Sequence, residues 1–236
     1  MKSGLPIEER SFIFVAYPKI ILRPIFFILL YLFSATMIMA QSTVQDAIIE
    51  VPDTASTKWS FEADILYYIF PEASNTATLI GYADHKALHL EARYNYEDEN
   101  AVSLFCGYRL DFGQQVAFGI TPMIGVLIGP TNGLIPGMEV EIAWKKLDFY
   151  SESEYVLDLG EGDGHYFYTW AEIAISPLDH WRAGISVNRT RLYETELDLQ
   201  RGVFVQYSFS RIRTGFHYFN PFTDEDFILA TLAVAF

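Results

Sequence analysis

From Leu88 to Glu97 the chain alternates without a break. Leu88, Leu90, Ala92, Tyr94 and Tyr96 are apolar or aromatic, and His89, Glu91, Arg93, Asn95 and Glu97 between them are polar or charged. A strand turns successive side chains to opposite faces, so a period of two gives one greasy face and one charged face. No helix gives such a segment a buried apolar stripe. The pattern recurs along the chain. Trp59, Phe61, Ala63, Ile65, Tyr67 and Ile69 oppose Ser60, Glu62, Asp64 and Tyr68, and a weaker run covers 76–83. Leu104, Cys106, Tyr108 and Leu110 oppose Ser103, Gly107, Arg109 and Asp111. Further runs cover 116–128, 138–145, 147–158 and 166–176, then about 181–194, 198–210 and 211–220. Turn-forming clusters separate them, such as Gly129-Pro130-Thr131-Asn132-Gly133 and Gly160-Glu161-Gly162-Asp163-Gly164.

The last run has no charged face. Ile228, Ala230, Leu232, Val234 and Phe236 share one side, and Leu229, Thr231, Ala233 and Ala235 the other. A soluble β-sandwich would also alternate, with its charged face in water and its apolar face in the core. Three features favour a closed barrel in a membrane instead: this terminal strand, aromatics on the apolar face of nearly every run, and the N-terminus. In lipid an unpaired backbone group costs several kcal/mol, so a spanning sheet must close on itself. The expected fold is an all-β, antiparallel, up-and-down transmembrane β-barrel of about 12 strands over 58–236. The even number lets the first strand start and the last strand end on the same side. Trp59, Trp144, Trp181, Tyr94, Tyr96, Tyr155 and Phe236 are candidate residues of the aromatic girdles.

The N-terminus is basic, then apolar, then small at the cut. Lys2, Arg10, Lys19 and Arg23 precede the apolar run Ile25–Ala35, and the stretch ends Ile38-Met39-Ala40-Gln41. This reads as a secretory signal over 1–40, followed by a short periplasmic lead-in over 41–57. A membrane helix over 20–39 would be interrupted by Arg23 and Pro24. Without Lys2, Arg10, Lys19, Arg23, Glu8 and Glu9, the 16 basic and 30 acidic residues become 12 and 28, a formal charge of −16. That excess argues against a nucleic-acid partner, which needs basic patches. The single cysteine, Cys106, sits mid-strand among apolar neighbours and reads as a small hydrophobe.

The ending Leu232-Ala233-Val234-Ala235-Phe236 resembles the C-terminal assembly signal of bacterial outer-membrane β-barrels, and the Ala40–Gln41 junction resembles signal cleavage sites common in Bacteroidota. The resemblance is to a class and names no specific family. It implies export to the outer membrane, with Phe236 as the assembly signal, the barrel-assembly machinery and outer-membrane lipids as partners, and an undetermined oligomeric state. It implies no activity.

The inward face is where function would lie. Glu91, Arg93, Arg109, Glu139, Glu141, Glu152, Glu154, Glu172 and Arg213 are expected to form a lumen charge network. Strict alternation places Arg189, Arg191 and Arg201 outward, where a charge in mid-membrane costs about 2–4 kcal/mol; either they lie at the outer rim and snorkel, or, the reading preferred here, bulges near Thr190 and Gly202 turn them inward to join the network. Such a lumen suits a passive small-solute pore, or a structural membrane protein whose interior is filled by ion pairs. Twelve strands lie between the side-chain-filled eight and the open sixteen. The rival reading is a lipid-modifying enzyme, a hydrolase or acyltransferase with Ser151, Ser153 and His165 on the outer wall. It lacks a Gly-x-Ser-x-Gly elbow and an evident third group. No cofactor and no metal site is expected: His85 and His89, four residues apart on one strand, stand about 13 Å apart.

Overall fold

The computed structural model describes residues 58–71, 73–160, 164–190 and 199–236. The signal and lead-in segments and Arg191 lie outside the described residues. The strands are β1 (Ser60–Ile69), β2 (Thr76–His85), β3 (Leu88–Tyr94), β4 (Val102–Tyr108), β5 (Leu110–Phe112), β6 (Ala117–Ile128), β7 (Gly133–Trp144), β8 (Leu147–Asp158), β9 (Tyr166–Leu178), β10 (Trp181–Arg189), β11 (Gln200–Phe209), β12 (Ile212–Phe219) and β13 (Phe227–Ala235). Apart from β4 and β5, which both pair with β6, each pairs antiparallel with its sequence neighbours, and β1 pairs with β13 in the register Ile65↔Leu232. β4 and β5 are two pieces of one stave. Gly107 faces Met123 and Leu110 faces Ile120, so the register runs unbroken past Arg109. The barrel therefore closes with twelve staves and leaves no sheet edge, as the alternating runs require.

Alternation along each stave separates wall from lumen. β4 reads exposed at Val102, Leu104, Cys106 and Tyr108 and buried at Ser103 and Phe105. The outer wall is apolar all round, with aromatics at both ends. Trp59, Phe61, Phe112, Trp144, Phe209 and Phe236 are exposed near the end that carries β1's start and β13's finish, and Tyr67, Tyr94, Tyr155 and Phe167 near the other. This is the two-girdle layout of a membrane barrel.

The two ends are built differently. At the end bearing β1's start, four two-residue turns join staves, with Lys86, Lys145, His180 and Ser210 each in the left-handed region at φ 56, 56, 68 and 56°, and residues 113–116 join β5 to β6. The opposite end carries the longer loops. There the sequence expectation for Tyr96 fails. β3 stops at Tyr94, and Asn95 adopts φ 60°. Its side-chain amide donates to the Ala77 carbonyl at 3.1 Å and its carbonyl oxygen accepts from the Asn100 N–H at 2.5 Å. The chain thereby leaves the wall and folds inward, and Tyr96 is buried in the lumen instead of joining a girdle.

Among the described residues, the bulges expected near Thr190 and Gly202 do not occur. Their pairing is continuous from Trp181↔Tyr207 to Asn188↔Gln200, and Gly202 pairs with Phe219 in regular register. Arg189 and Arg201 keep the outward parity of Val187 and Val203. They avoid mid-membrane because they stand at stave ends on the looped rim, where Arg189 donates to the Phe167 carbonyl. Long side chains at a rim reach polar surroundings without entering the lumen. An irregularity does occur in β9–β10, between Trp181↔Leu178 and Ala183↔Ile175, next to Pro177.

Just beyond it, Gly184 faces Ala174 so closely that a Cβ would stand 2.1 Å from the Ile173 carbonyl oxygen and 2.8 Å from Ala174 Cα. Both are backbone and neither can swing away. Gly184→Val is expected to destabilise the barrel by about 1–3 kcal/mol, the usual cost of overpacking, read as a lower urea midpoint for unfolding from detergent micelles.

Candidate functional site

The lumen is filled by side chains. Toward the looped end the filling is aromatic and apolar: Leu66, Tyr68, Ile80, Tyr96, Tyr168, Trp170, Phe219, Phe227 and Leu229 form one cluster, and Ala101, Phe105, Met123, Leu127, Ile135, Val156 and Tyr166 another. Below them, towards the tight-turn end, charge takes over.

Arg93 is the centre of that charge. Its side chain is 1 % exposed and reaches from β3 to carboxylates on β8, four staves round the barrel. Nε donates to Glu91 Oε2 at 2.5 Å, and Nη1 lies 3.0 Å from Glu97 Oε1, 2.8 Å from Glu152 Oε1 and 2.7 Å from Glu154 Oε1. The guanidinium also stacks over the Phe105 and Tyr96 rings at 4.2 and 4.7 Å. A planar, always-charged group with five donors is the side chain that can serve several carboxylates and two rings together. β3 supplies Arg93 and Glu91, β8 supplies Glu152 and Glu154, and the in-folded loop supplies Glu97.

That loop is fastened at several points. Ser103 Oγ donates to Glu97 Oε2 at 2.7 Å, the Tyr166 hydroxyl donates to the Glu97 carbonyl at 2.9 Å, and Thr190 Oγ1 donates to the Tyr96 carbonyl at 3.2 Å. The Tyr96 hydroxyl reaches Glu152 Oε2 at 3.2 Å. Burial pushes the Glu97 carboxyl above its ordinary range, and the opposing pull of Arg93 does not cancel it. A carboxyl whose proton affinity rises on docking makes docking more favourable as pH falls.

Three further arginines are tied nearer the tight-turn end. Arg182 donates to Asp148 Oδ1 from Nη2 at 2.6 Å and to Glu172 Oε2 from Nη1 at 2.5 Å. Arg109 makes a two-pronged contact with Glu141 at 3.0 and 2.8 Å and reaches Asp111 at 2.9 Å. Arg213 donates to Glu62 at 2.7 Å, with Asp64 at 3.8 Å. Arg213 is 45 % exposed, against 1 % for Arg93, so the interior grades from open to sealed along the axis.

The structure thus brings Glu91, Arg93, Glu152 and Glu154 into one cluster, sets Arg109 with Glu141 and Glu172 with Arg182, and leaves Arg213 with Glu62 near the tight-turn end. Glu139 stands beside the first cluster: the Tyr150 hydroxyl lies 2.8 Å from Glu139 Oε1 and 3.1 Å from Glu152 Oε2 and donates to one at a time. Sequence reading missed Tyr96, Thr190, Asp84 and His89. His89 Nδ1 lies 2.6 Å from Asp84 Oδ1, and Nε2 lies 2.6 Å from Glu91 Oε1 and 3.9 Å from Glu139 Oε2. Its inward parity was visible, but two of its partners, Asp84 on β2 and Glu139 on β7, come from other staves.

The Ser–His pair on the outer wall does not assemble. Ser153 faces Thr169 in register, 3.1 Å between hydroxyl oxygens, whereas His165 lies beyond Tyr166 on the same neighbouring chain segment. Four residues along a strand is about 13 Å. His165 Nδ1 accepts from the Asp158 N–H at 3.0 Å, which makes it part of a loop hydrogen bond.

No family model matches this chain, and no curated protein matches it. Among solved structures it is similar to a "KdgM porin", at 13 % identity and TM-score 0.51 over 74 % of this chain and 98 % of that one. It is also matched by Pseudomonas aeruginosa OccK5 (OpdH), at 11 % identity and TM-score 0.40 over 80 % and 68 % of the two chains, a superposition too loose to carry an argument. The first match agrees with the closed antiparallel barrel described above and extends to the fold alone.

Arg93 holds its carboxylates in a sealed place, so Arg93→Met is expected to cost about 3–5 kcal/mol, the penalty for leaving buried charge unpaired. Arg213→Met, at the open end, is expected to cost under about 1 kcal/mol. Paired urea titrations in detergent check the contrast.

Proposed function

We propose that this protein is an outer-membrane barrel serving as a narrow passive pathway for small solutes, shut in this conformation by the loop at 95–101. The observation that carries this reading is the character of the lumen. An acid-rich interior, open at the tight-turn end, grows less exposed toward a seal, and the seal is made in part by one loop held through side-chain hydrogen bonds and ion pairs. Loops of that kind open more readily than staves. Carboxylates exceed arginines along the described interior, so the pathway would favour cations over anions. The porin-like fold and the two aromatic girdles support placement in the outer membrane, with the tight turns on the periplasmic side. The basic–apolar–small N-terminus supports export through a cleaved signal, and the Ala40–Gln41 junction supports a Bacteroidota-like source. Phe236 would be the residue read by the assembly machinery: its N–H donates to the Phe61 carbonyl at 2.9 Å on the last ladder rung.

A second reading, a structural barrel that never conducts, is favoured by one observation. Tyr68, Tyr168, Phe219 and Leu229 are at most 1 % exposed and close much of the looped half without help from the loop. Planar-bilayer recording separates the two. The pore reading predicts small, cation-preferring steps, longer openings in Glu97→Gln combined with Tyr96→Ala, and more frequent openings as pH rises. Silence of both proteins at all salts and voltages would leave the structural reading.

A further inference from the structure

Most lumen carboxylates have a guanidinium beside them, and Glu139 does not. Glu139 is 6 % exposed, and Oε1 takes the Tyr150 hydroxyl. Its Oε2 accepts no hydrogen bond among the described residues and points at His89 Nε2 from 3.9 Å. Glu91 Oε1 approaches the same nitrogen at 2.6 Å, and one ligand atom from each of the three residues lies within 4.8 Å of the other two. All three residues are buried. The other imidazole nitrogen, Nδ1, faces Asp84 Oδ1 at 2.6 Å. Once an ion displaces the proton from Nε2, a carboxylate in that position keeps the other proton on Nδ1 and leaves the Nε2 lone pair to the ion.

From this geometry we propose that His89, Glu91 and Glu139 bind a divalent first-row transition ion of the zinc class, with Asp84 orienting the imidazole. One nitrogen and two carboxylate oxygens suit such an ion; an all-oxygen set would suit Ca²⁺ or Mg²⁺. Bonds of about 2.0–2.2 Å place tetrahedral ligands about 3.4 Å apart. The observed separations of 2.6 and 3.9 Å bracket that spacing, so small side-chain shifts complete the site. Charge points the same way: Arg93 is shared with Glu97, Glu152 and Glu154, and a dication would neutralise what remains. The ion would enter from the tight-turn end, past Asp84, whose side chain is 20 % exposed. Glu91 and Glu139 stand on β3 and β7, so the ion would also tie two walls of the barrel together.

The test is calorimetric titration of the mature chain, refolded in detergent and stripped with chelator, using Zn²⁺, with Co²⁺ as the spectroscopic probe. One Zn²⁺ per barrel is expected, with visible Co²⁺ absorption bands that Zn²⁺ bleaches and equal Ca²⁺ or Mg²⁺ does not. Glu139→Gln and His89→Ala should each weaken binding at least 100-fold, and Asp84→Asn about 10–100-fold, while Glu62→Gln near the tight-turn end binds as wild type. The heat-modified gel shift reports which variants fold, and Glu139→Gln, the mildest change, carries the test should His89→Ala not fold. Failure of the folded wild type to take up Zn²⁺ would overturn the proposal and leave His89 as an imidazolium bridging Asp84 and Glu91. Uptake unchanged in Glu139→Gln would overturn it equally, by placing the ion elsewhere.

Discussion

Everything in this molecule depends on pairing every backbone N–H and C=O of its staves. In hydrocarbon no water substitutes for a missing partner, so the ladder between β1 and β13 is as necessary as any between sequence neighbours. That closure fixes the parity of every side chain. Once Ile65 opposes Leu232 on the wall, Asp64 and Leu66 must enter the lumen. The period of two then assigns apolar residues to lipid and leaves the charged ones a place away from it.

Parity also creates the interior problem. Charges turned inward lie in a narrow space, where unpaired ions are costly. The barrel meets this by grading the lumen. Near the tight-turn end, Arg213 and Glu62 stay partly hydrated. Near the looped end of β3, Arg93 gathers carboxylates from two walls and a loop, and aromatic rings stacked on it exclude water. Arg93 at this junction links stave geometry to loop position, because Glu97 docks only where that guanidinium already stands.

The wall was legible in the sequence wherever side chains obey strict alternation, as in Leu88–Tyr94 and Val102–Leu110, and the twelve staves followed from those runs and parity. What alternation could not show was where it stops. Tyr96 continues the pattern of Tyr94 on paper, but the left-handed backbone at Asn95 turns it into the lumen. For Arg189 and Arg201 alternation leaves two ways to avoid lipid, a bulge or a place at the rim, and their position at stave ends is the one realised. The lumen clusters were half legible: inward parity marks Glu91, Glu139 and His89 one by one, but their meeting depends on how far apart β3 and β7 stand around the barrel. Spacing along one strand carries no trace of that distance.

The central claim is a barrel with a lipid-facing wall and a filled interior, and its four tryptophans divide accordingly. Single-tryptophan variants, with the others replaced by Phe, can be reconstituted in vesicles containing brominated lipids. Trp144 on the wall should be strongly quenched, and Trp170 in the lumen, 7 % exposed and donating to Glu172 at 3.1 Å, should be protected. Equal quenching of Trp170 and Trp144, or no quenching of Trp144, would contradict the account.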